Sequence, residues 1–218
     1  MYGGRMTNTA DVTIHIDPAC PWAWLTSRWL AEVEKVRPIR VTTRLFDLAE
    51  VNRSSDTDEG HRRSHGAGEV ALRVLVAARR AGGDDAVARL YTELGEAHHE
   101  RGEPLDDQGM LSRALTAAGL DPGLAEAAGS NPTTLDELLA EHRAIAERGA
   151  FGVPTLVLGD AAPTFGPVVD TRITGEAAGE LWDRVAWLLT TESFYELKRE
   201  RTHRPEIGRY QALAALTG

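Results

Sequence analysis

Cysteine is nearly absent from the chain, since Cys20 is the only one in 218 residues. A single cysteine excludes any internal disulfide and is typical of proteins from a reducing compartment such as the cytoplasm. The sequence also lacks an excess of positive charge, with a formal net charge of -9. This acidic balance argues against nucleic acid or an anionic membrane surface as the main partner.

Long apolar runs are missing as well. The N-terminus has no apolar segment typical of a secretory signal, and no run approaches a membrane span, so we expect a cytoplasmic protein. His98, His99 and Glu100 are adjacent, which is not the one-face spacing of a metal site, and we predict no metal. The chain is 42% hydrophobic, which is enough to bury a substantial core.

Alternating apolar and polar residues predict two strands at the start of the chain. These strands cover Val12–Ile16 and Ile39–Phe46, and apolar residues every three to four positions predict a helix from Pro21 to Arg37 between them. This order places Cys20 at the C-terminal end of the first strand. Ligand sites in α/β sheets concentrate at that edge.

The periodicity then becomes helical, and residues 56–149 contain no convincing strand. The predicted helices there are Glu69–Arg80, Asp84–Arg101, Asp106–Ala118, a short turn near Leu124, and Thr133–Arg148. A block of helices between strand-rich ends indicates an insertion into an α/β domain.

Strands return near the C-terminus at Pro154–Leu158 and Pro163–Phe165, joined by a turn that suits a hairpin. An amphipathic helix, Glu176–Leu189, and a charged helix, Phe194–Arg201, are predicted to follow. We therefore predict an α/β domain formed by residues 10–47 and 150–190, a helical insertion at 48–149, and a C-terminal helix and tail at 191–218.

Cys20 lies at a predicted helix start, within Asp-Pro-Ala-Cys-Pro-Trp-Ala-Trp at residues 17–24. Unpaired N–H groups at a helix N-terminus favour a thiolate, so we predict a pKa for Cys20 below that of a free cysteine. Thiol–disulfide proteins usually carry a second cysteine three positions on, and that position holds Ala23. A buried structural cysteine is the alternative interpretation, and the position at a helix start favours a reactive thiol.

Four separate motifs resemble those of the DsbA-like thioredoxin-fold family. They lie at residues 17–29, at 152–155 (Gly-Val-Pro-Thr), at 165–168 (Phe-Gly-Pro-Val) and at 194–202. The chain resembles in particular the actinobacterial branch with mycothiol-dependent nitroreductases and the DsbA-like proteins of polyketide gene clusters. This resemblance implies an α/β thioredoxin fold with an all-helical insertion, and a thiol-dependent oxidoreductase with Cys20 as its catalytic residue.

The resemblance also implies which residues surround the thiol. It implies that Pro154 is cis and lies against Cys20, with the backbone of Val153 able to pair with an extended ligand. Trp22 can stack on a flat ligand. The predicted substrate-binding or thiol-binding residues are Pro21, Trp22, Ala23, Asn52, His99, Val153, Pro154 and Thr155.

Three polar residues keep two interpretations each. Asn52 matches a position in the family's substrate pocket, and a loop asparagine equally well forms a turn. His99 could border the cleft, although solvated histidines at helix ends are commoner. His15 stands where relatives carry an aromatic residue, and its role is open.

Ala23 departs from the family's Cys-Pro-Trp-Cys pattern. It fits a natural monothiol protein and equally a chain whose resolving cysteine has been substituted. A single thiol can form a mixed disulfide but needs an external thiol to release it. The resemblance implies mycothiol as that co-substrate, with no tightly bound cofactor.

Two other functions fit the pattern. Kappa-class glutathione transferases and related aromatic isomerases share this topology and use one hydroxyl or thiol at the same turn. A degenerate thioredoxin fold that binds a ligand without turnover is the third hypothesis. Reactivity of Cys20 separates the third from the first two, and disulfide exchange against thiol-dependent isomerisation separates those two.

Overall fold

Four strands form one mixed sheet in a computed structural model, which describes residues 9–53 and 59–210. The strands are β1 (Ala10–Ile16), β2 (Ile39–Leu45), β3 (Thr155–Leu158) and β4 (Thr164–Phe165). Their order is β2-β1-β3-β4, with β1 parallel to β2 and antiparallel to β3, and β4 antiparallel to β3. Helix α1 (Pro21–Val36) makes the crossover between the two parallel strands.

Helices occupy the described residues between β2 and β3. They are α2 (Leu48–Val51), α3 (Glu59–Gly95), α4 (Gln108–Ala117), α5 (Leu124–Ser130) and α6 (Pro132–Ala146), with a π-helical turn at Glu96–Glu100 after α3. The predicted absence of strands is confirmed for residues 69–148. The domain boundaries drawn from the sequence remain a prediction.

Helix α3 is longer than the sequence pattern predicts. It begins at Glu59, and it runs through Gly82 and Gly83, whose backbone is not helical. Gly83 has a φ of +69°, a conformation that favours glycine, so the predicted break between two helices is present as a kink. Its C-terminal residue, Gly95, packs against the Trp24 ring, where a Cβ would lie 2.2 Å from the ring carbons.

The segment after α7 (Gly175–Leu189) corrects the prediction of a charged helix. Phe194–Arg201 has no helical structure, and Tyr195 and Leu197 are 89% and 83% exposed. A helix of this length is marginal in water unless an apolar face is buried. In Phe194–Arg201 no apolar face is buried against the rest of the protein. The helix propensity of these residues is therefore not enough to form a helix. Residues 211–218 of the predicted tail lie outside the described residues.

The sheet brings three chain segments to one edge. Parallel β1 and β2 both end there, at Ile16 and Leu45, and antiparallel β3 begins there at Thr155. The residues that follow β1 and β2 and those that precede β3 are therefore neighbours. Among the described residues no helix is long and apolar enough to cross a membrane.

His15, near the end of β1, makes folding stability depend on pH. Burial lowers the pKa of His15 from 6.5 to about 4. Between pH 6.5 and 4 the unfolded chain therefore takes up a proton that the folded protein does not, so stability falls as pH falls. At about pH 5 this costs about 2 kcal/mol.

We expect His15→Phe, which cannot be protonated, to raise the free energy of unfolding at about pH 5 by about 2 kcal/mol more than at about pH 8. Urea unfolding at both pH values measures the difference. Thr13→Phe, which adds a ring at a half-buried position of β1 and removes no titratable group, is the control and should change both values alike. Equal effects of His15→Phe at the two pH values would contradict the account.

Candidate functional site

A tight turn carries the chain from β1 into α1 and presents Cys20. The N–H of Cys20 donates to the carbonyl of Asp17 at 2.9 Å. Cys20 is the N-cap of α1, with extended backbone, and Pro21 is the first helical residue. The Cys20 Sγ accepts a hydrogen bond from the N–H of Ala23 at 3.4 Å. The thiol is therefore held at the positive end of the helix, as predicted.

The cis proline lies on the other side of the thiol. The Val153–Pro154 peptide bond is cis, which confirms the prediction. The Cys20 Sγ donates to the carbonyl of Val153 at 3.6 Å. Thr155 opens β3, and its Oγ1 donates to the carbonyl of Gly152 at 2.7 Å. The sulfur thus bridges the start of α1 and the loop before β3.

The predicted acidity of Cys20 is wrong. Burial raises the pKa of the thiol from 9.0 to about 11, and the charge of Asp17 raises it further. The hydrogen bonds from Ala23 and Trp22 and the positive charge of Arg201 lower it by less. The side chain is 7% exposed, so the desolvation of a thiolate outweighs the favourable helix start.

Trp22 and Ala23 face different surroundings. Ala23 is completely buried, whereas Trp22 is half-buried. The guanidinium carbon of Arg201 lies 5.0 Å from the centre of the Trp22 ring. This cation–π contact brings the C-terminal segment over the motif that carries the thiol. The sequence predicted only a charged helix over Phe194–Arg201, so this contact was not foreseen.

Asn52 and His99 both support the backbone near the site. The Asn52 amide Nδ2 donates to the carbonyl of Leu48 at 2.8 Å and closes the last turn of α2. His99 is completely buried, with Nε2 2.9 Å from the carbonyl oxygen of Pro18. Its ring stacks on Trp24, with centroids 5.9 Å apart. His99 lies under the Cys20 turn, and ligand contacts of either residue stay a prediction.

Two further features were missed by sequence reasoning. Asp17, directly after β1, is completely buried, and its Oδ1 accepts from the N–H of Ala19 at 2.8 Å. A second cis peptide bond joins Gly166 and Pro167, and the carbonyl of Pro167 accepts from Thr26. An acidic residue ending a buried strand is a signal that could have drawn attention to Asp17.

Glu100 ties the C-terminal segment to the helices behind the thiol. Its Oε1 accepts from the Trp24 Nε1 at 2.8 Å and from Arg172 at 2.7 Å. Its Oε2 accepts from the N–H of Gly208 at 2.9 Å, and Ile207 is 1% exposed. The chain is therefore anchored again after the exposed stretch that contains Arg201.

Cys20 does not line either of two cavities found among the described residues. One, of about 430 Å³, is lined by Arg44, Arg79, Glu137 and Glu141, and the other, of about 210 Å³, lies between α1 and the residues before α7. The described part of the chain also contains no group of three or more His, Cys, Asp or Glu placed to hold a metal.

The family described as mycothiol-dependent nitroreductase Rv2466c matches residues 19–199 of the chain. The chain belongs to this Rv2466c-like family. An uncharacterized protein of Mycobacterium tuberculosis, Rv2286c, is 32% identical over 191 residues, which cover 88% of this chain and 82% of that protein. Family membership makes the protein a thiol-dependent oxidoreductase.

Two solved structures share the fold. A probable DsbA oxidoreductase from Streptomyces coelicolor has a TM-score of 0.53 at 19% identity and covers 88% of this chain and 94% of its own. A 2-hydroxychromene-2-carboxylate isomerase has a TM-score of 0.60 at 16% identity and covers 95% of this chain and 99% of its own. These likenesses show a DsbA-like thioredoxin fold with helices inserted into it.

Arg201 provides a test of the electrostatics around the thiol. We expect Arg201→Gln to slow alkylation of Cys20 by roughly twofold at low salt, because a positive charge near the thiolate is lost. The difference should shrink at about 1 M salt, where exposed charges are screened. Lys198→Gln, which removes a nearby exposed charge, is the control. Equal effects of the two substitutions, or faster alkylation of Arg201→Gln, would contradict this role.

Proposed function

We propose that the protein is a monothiol oxidoreductase in which Cys20 forms a mixed disulfide with a low-molecular-weight thiol. The observation that carries the proposal is the position of the sulfur, between the start of α1 and the carbonyl before cis Pro154. Ala23 occupies the place of a resolving cysteine, so the thiol that releases Cys20 comes from outside the chain. Mycothiol is the co-substrate that family membership favours.

The reaction exchanges one disulfide for another. The Cys20 thiolate attacks one sulfur of a disulfide, the bond between Cys20 and that sulfur forms, and the other sulfur leaves as a thiolate. A second small thiolate then attacks the sulfur of the small thiol in the adduct, which releases the Cys20 thiolate and a new disulfide. Electrons pass from the external thiol to the substrate, and the protein returns unchanged.

Ionisation of Cys20 is the barrier that the site must lower. With a pKa of about 11, roughly one thiol in ten thousand is ionised at pH 7. The hydrogen bond from the Cys20 S–H group to the Val153 carbonyl stabilises the neutral thiol. In our proposal, an extended ligand that pairs with the backbone of Val153 donates a hydrogen bond to this carbonyl in place of the thiol. The Ala23 N–H and the Arg201 charge then remain to stabilise the thiolate.

The other predicted residues have supporting roles in this proposal. Trp22 and Pro21 form the wall on which the small thiol lies, and Thr155 holds the loop that carries Val153. Asn52 and His99 position the backbone that borders the thiol. An abundant external thiol is a requirement of the mechanism, which agrees with the cytoplasmic location expected from the sequence.

Ala23 also favours a second candidate function, a thiol-conjugating or isomerase activity. Such an enzyme uses one nucleophile and needs no resolving cysteine. An isomerase returns the small thiol unchanged, and a conjugating enzyme consumes it by forming a C–S bond. Neither activity produces oxidised small thiol, which distinguishes both from the oxidoreductase. If the protein only binds a ligand, neither disulfide reduction nor conjugation or isomerisation should be observed.

We expect Ala23→Cys to make disulfide reduction less dependent on added small thiol, because a second thiol three positions along the helix can release the adduct. The lifetime of the adduct at Cys20 should shorten at least roughly tenfold. Cys20→Ser should abolish both adduct and turnover. The rate of disulfide reduction against the concentration of added mycothiol measures these changes.

Ser130→Cys is the matched control, since it adds a thiol at an exposed position at the end of α5. It should leave the dependence on external thiol unchanged. If the unsubstituted chain turns over as fast as Ala23→Cys without added thiol, the monothiol mechanism is wrong. The isomerase hypothesis then becomes the first to test.

A further inference from the structure

A small cavity lies beside α1, away from the thiol. It has a volume of about 210 Å³, and its wall is formed by one face of α1, by Glu96 after α3, and by residues 172–174 before α7. Trp29, which is 1% exposed, and Arg28 are the wall residues nearest the middle of α1. Arg28 follows Cys20 by eight residues, which is about 12 Å along the helix axis. The cavity is therefore separate from the site described above.

Arg28 is a half-buried guanidinium without a carboxylate partner. Its Nη1 donates to the Oγ1 of Thr92 at 3.1 Å, and its Nε donates to the Oγ of Ser27 at 3.3 Å. Its guanidinium carbon lies 4.5 Å from the centre of the Trp24 ring. In the part of the chain that the structure describes, no carboxylate forms an ion pair with it and its Nη2 donates no hydrogen bond. A partly buried charge that is not neutralised is costly.

A second guanidinium lies near the same ring. The guanidinium carbon of Arg172 is 6.0 Å from the centre of the Trp24 ring, and Arg172 also lines the cavity. Burial lowers the pKa of Arg28, and the like charge of Arg172 contributes to the lowering. Arg172 donates to the Oε1 of Glu100 at 2.7 Å, so Glu100 neutralises Arg172 and not Arg28. Two cations thus repel each other beside a cavity that an anion can enter.

The carboxylates on the cavity wall do not neutralise Arg28 either. Glu32 lies 2.6 Å from the Nζ of Lys35. This hydrogen bond, and to a smaller extent the N–H of Gly175 at the start of α7, lower the pKa of Glu32. Glu96 is exposed and forms no ion pair with Arg28, although its negative charge raises the pKa of Arg28. Glu32 is therefore occupied, and Glu96 is a negative charge that competes with any bound anion.

We propose that this cavity binds a small oxyanion, a carboxylate or phosphate group, through Arg28 and Arg172. A guanidinium presents its N–H groups in a planar fork that matches the oxygens of either group. The bound oxyanion accepts from the Nη2 of Arg28 and balances the repulsion between the two cations. It is the ligand of a second site and is not the disulfide that reacts with Cys20.

Trp24 provides a site-specific signal for binding. Its ring lies near both guanidiniums, and its Nε1 donates to Glu100 at 2.8 Å. Inorganic phosphate or acetate, added at constant ionic strength, should therefore shift the indole N–H resonance of Trp24 in a saturable way in nitrogen–proton NMR spectra. Trp187, 66% exposed on α7, is the internal reference and should not respond. A saturable response to either oxyanion supports the proposal, and the tighter of the two identifies the class of ligand.

Substitutions of opposite charge should change the affinity in opposite directions. Arg28→Gln should weaken binding at least roughly tenfold, because hydrogen bonds from a charged group are lost. Glu96→Gln should strengthen binding roughly two- to fivefold, because an exposed negative charge near Arg28 is removed. Arg40→Gln, at an exposed position of β2, is the matched control for the loss of one positive charge and should leave the affinity unchanged.

Three results would overturn the proposal. The first is an unsubstituted protein without a saturable shift, or with equal shifts of the Trp24 and Trp187 resonances, which indicate a general effect of salt. The second is equal weakening by Arg28→Gln and Arg40→Gln. The third is weaker or unchanged binding in Glu96→Gln, a substitution at an exposed position that decides the question even if Arg28→Gln fails to fold.

Binding is measured without a disulfide or a small thiol, so this inference and the proposed function are tested separately. Saturable binding with no disulfide turnover would count against the monothiol mechanism alone. Turnover without oxyanion binding would count against the second site alone.

Discussion

The Cys20 sulfur, held between the N–H of Ala23 and the carbonyl of Val153, is the contact on which the site depends. It joins two parts of the chain that are 133 residues apart in sequence. One part is the turn between β1 and α1, and the other is the loop that leads through cis Pro154 into β3. Both meet because the ends of parallel strands and the start of an antiparallel one share an edge of the sheet.

This placement sets two effects against each other at the thiol. The start of a helix favours the thiolate, and burial disfavours it more, so Cys20 is neutral in its resting arrangement. Two charges have opposite effects on the pKa of Cys20, which the buried Asp17 raises and the exposed Arg201 lowers. We expect a thiol protected in this way to resist oxidation, and in our proposal it becomes reactive when a ligand replaces its hydrogen bond to Val153.

The parts of this site that follow from local sequence were predictable. The strand before Cys20, the helix start at Pro21 and the resemblance around Pro154 placed the thiol and its cis proline correctly. The acidity of Cys20, the helix expected at Phe194–Arg201 and the burial of His99 depend on tertiary packing, which propensity and helix-start arguments do not contain. Asp17 was visible in the motif, and its complete burial also depends on tertiary packing.

Mass spectrometry of the intact protein tests the central claim, that Cys20 acts alone and depends on an external thiol. After incubation with oxidised mycothiol, or glutathione disulfide as a surrogate, the account predicts one added small thiol per chain, located on Cys20. The adduct should persist after the free disulfide is removed and should disappear when reduced thiol is added. Absence of an adduct, or its loss without added thiol, would contradict the account.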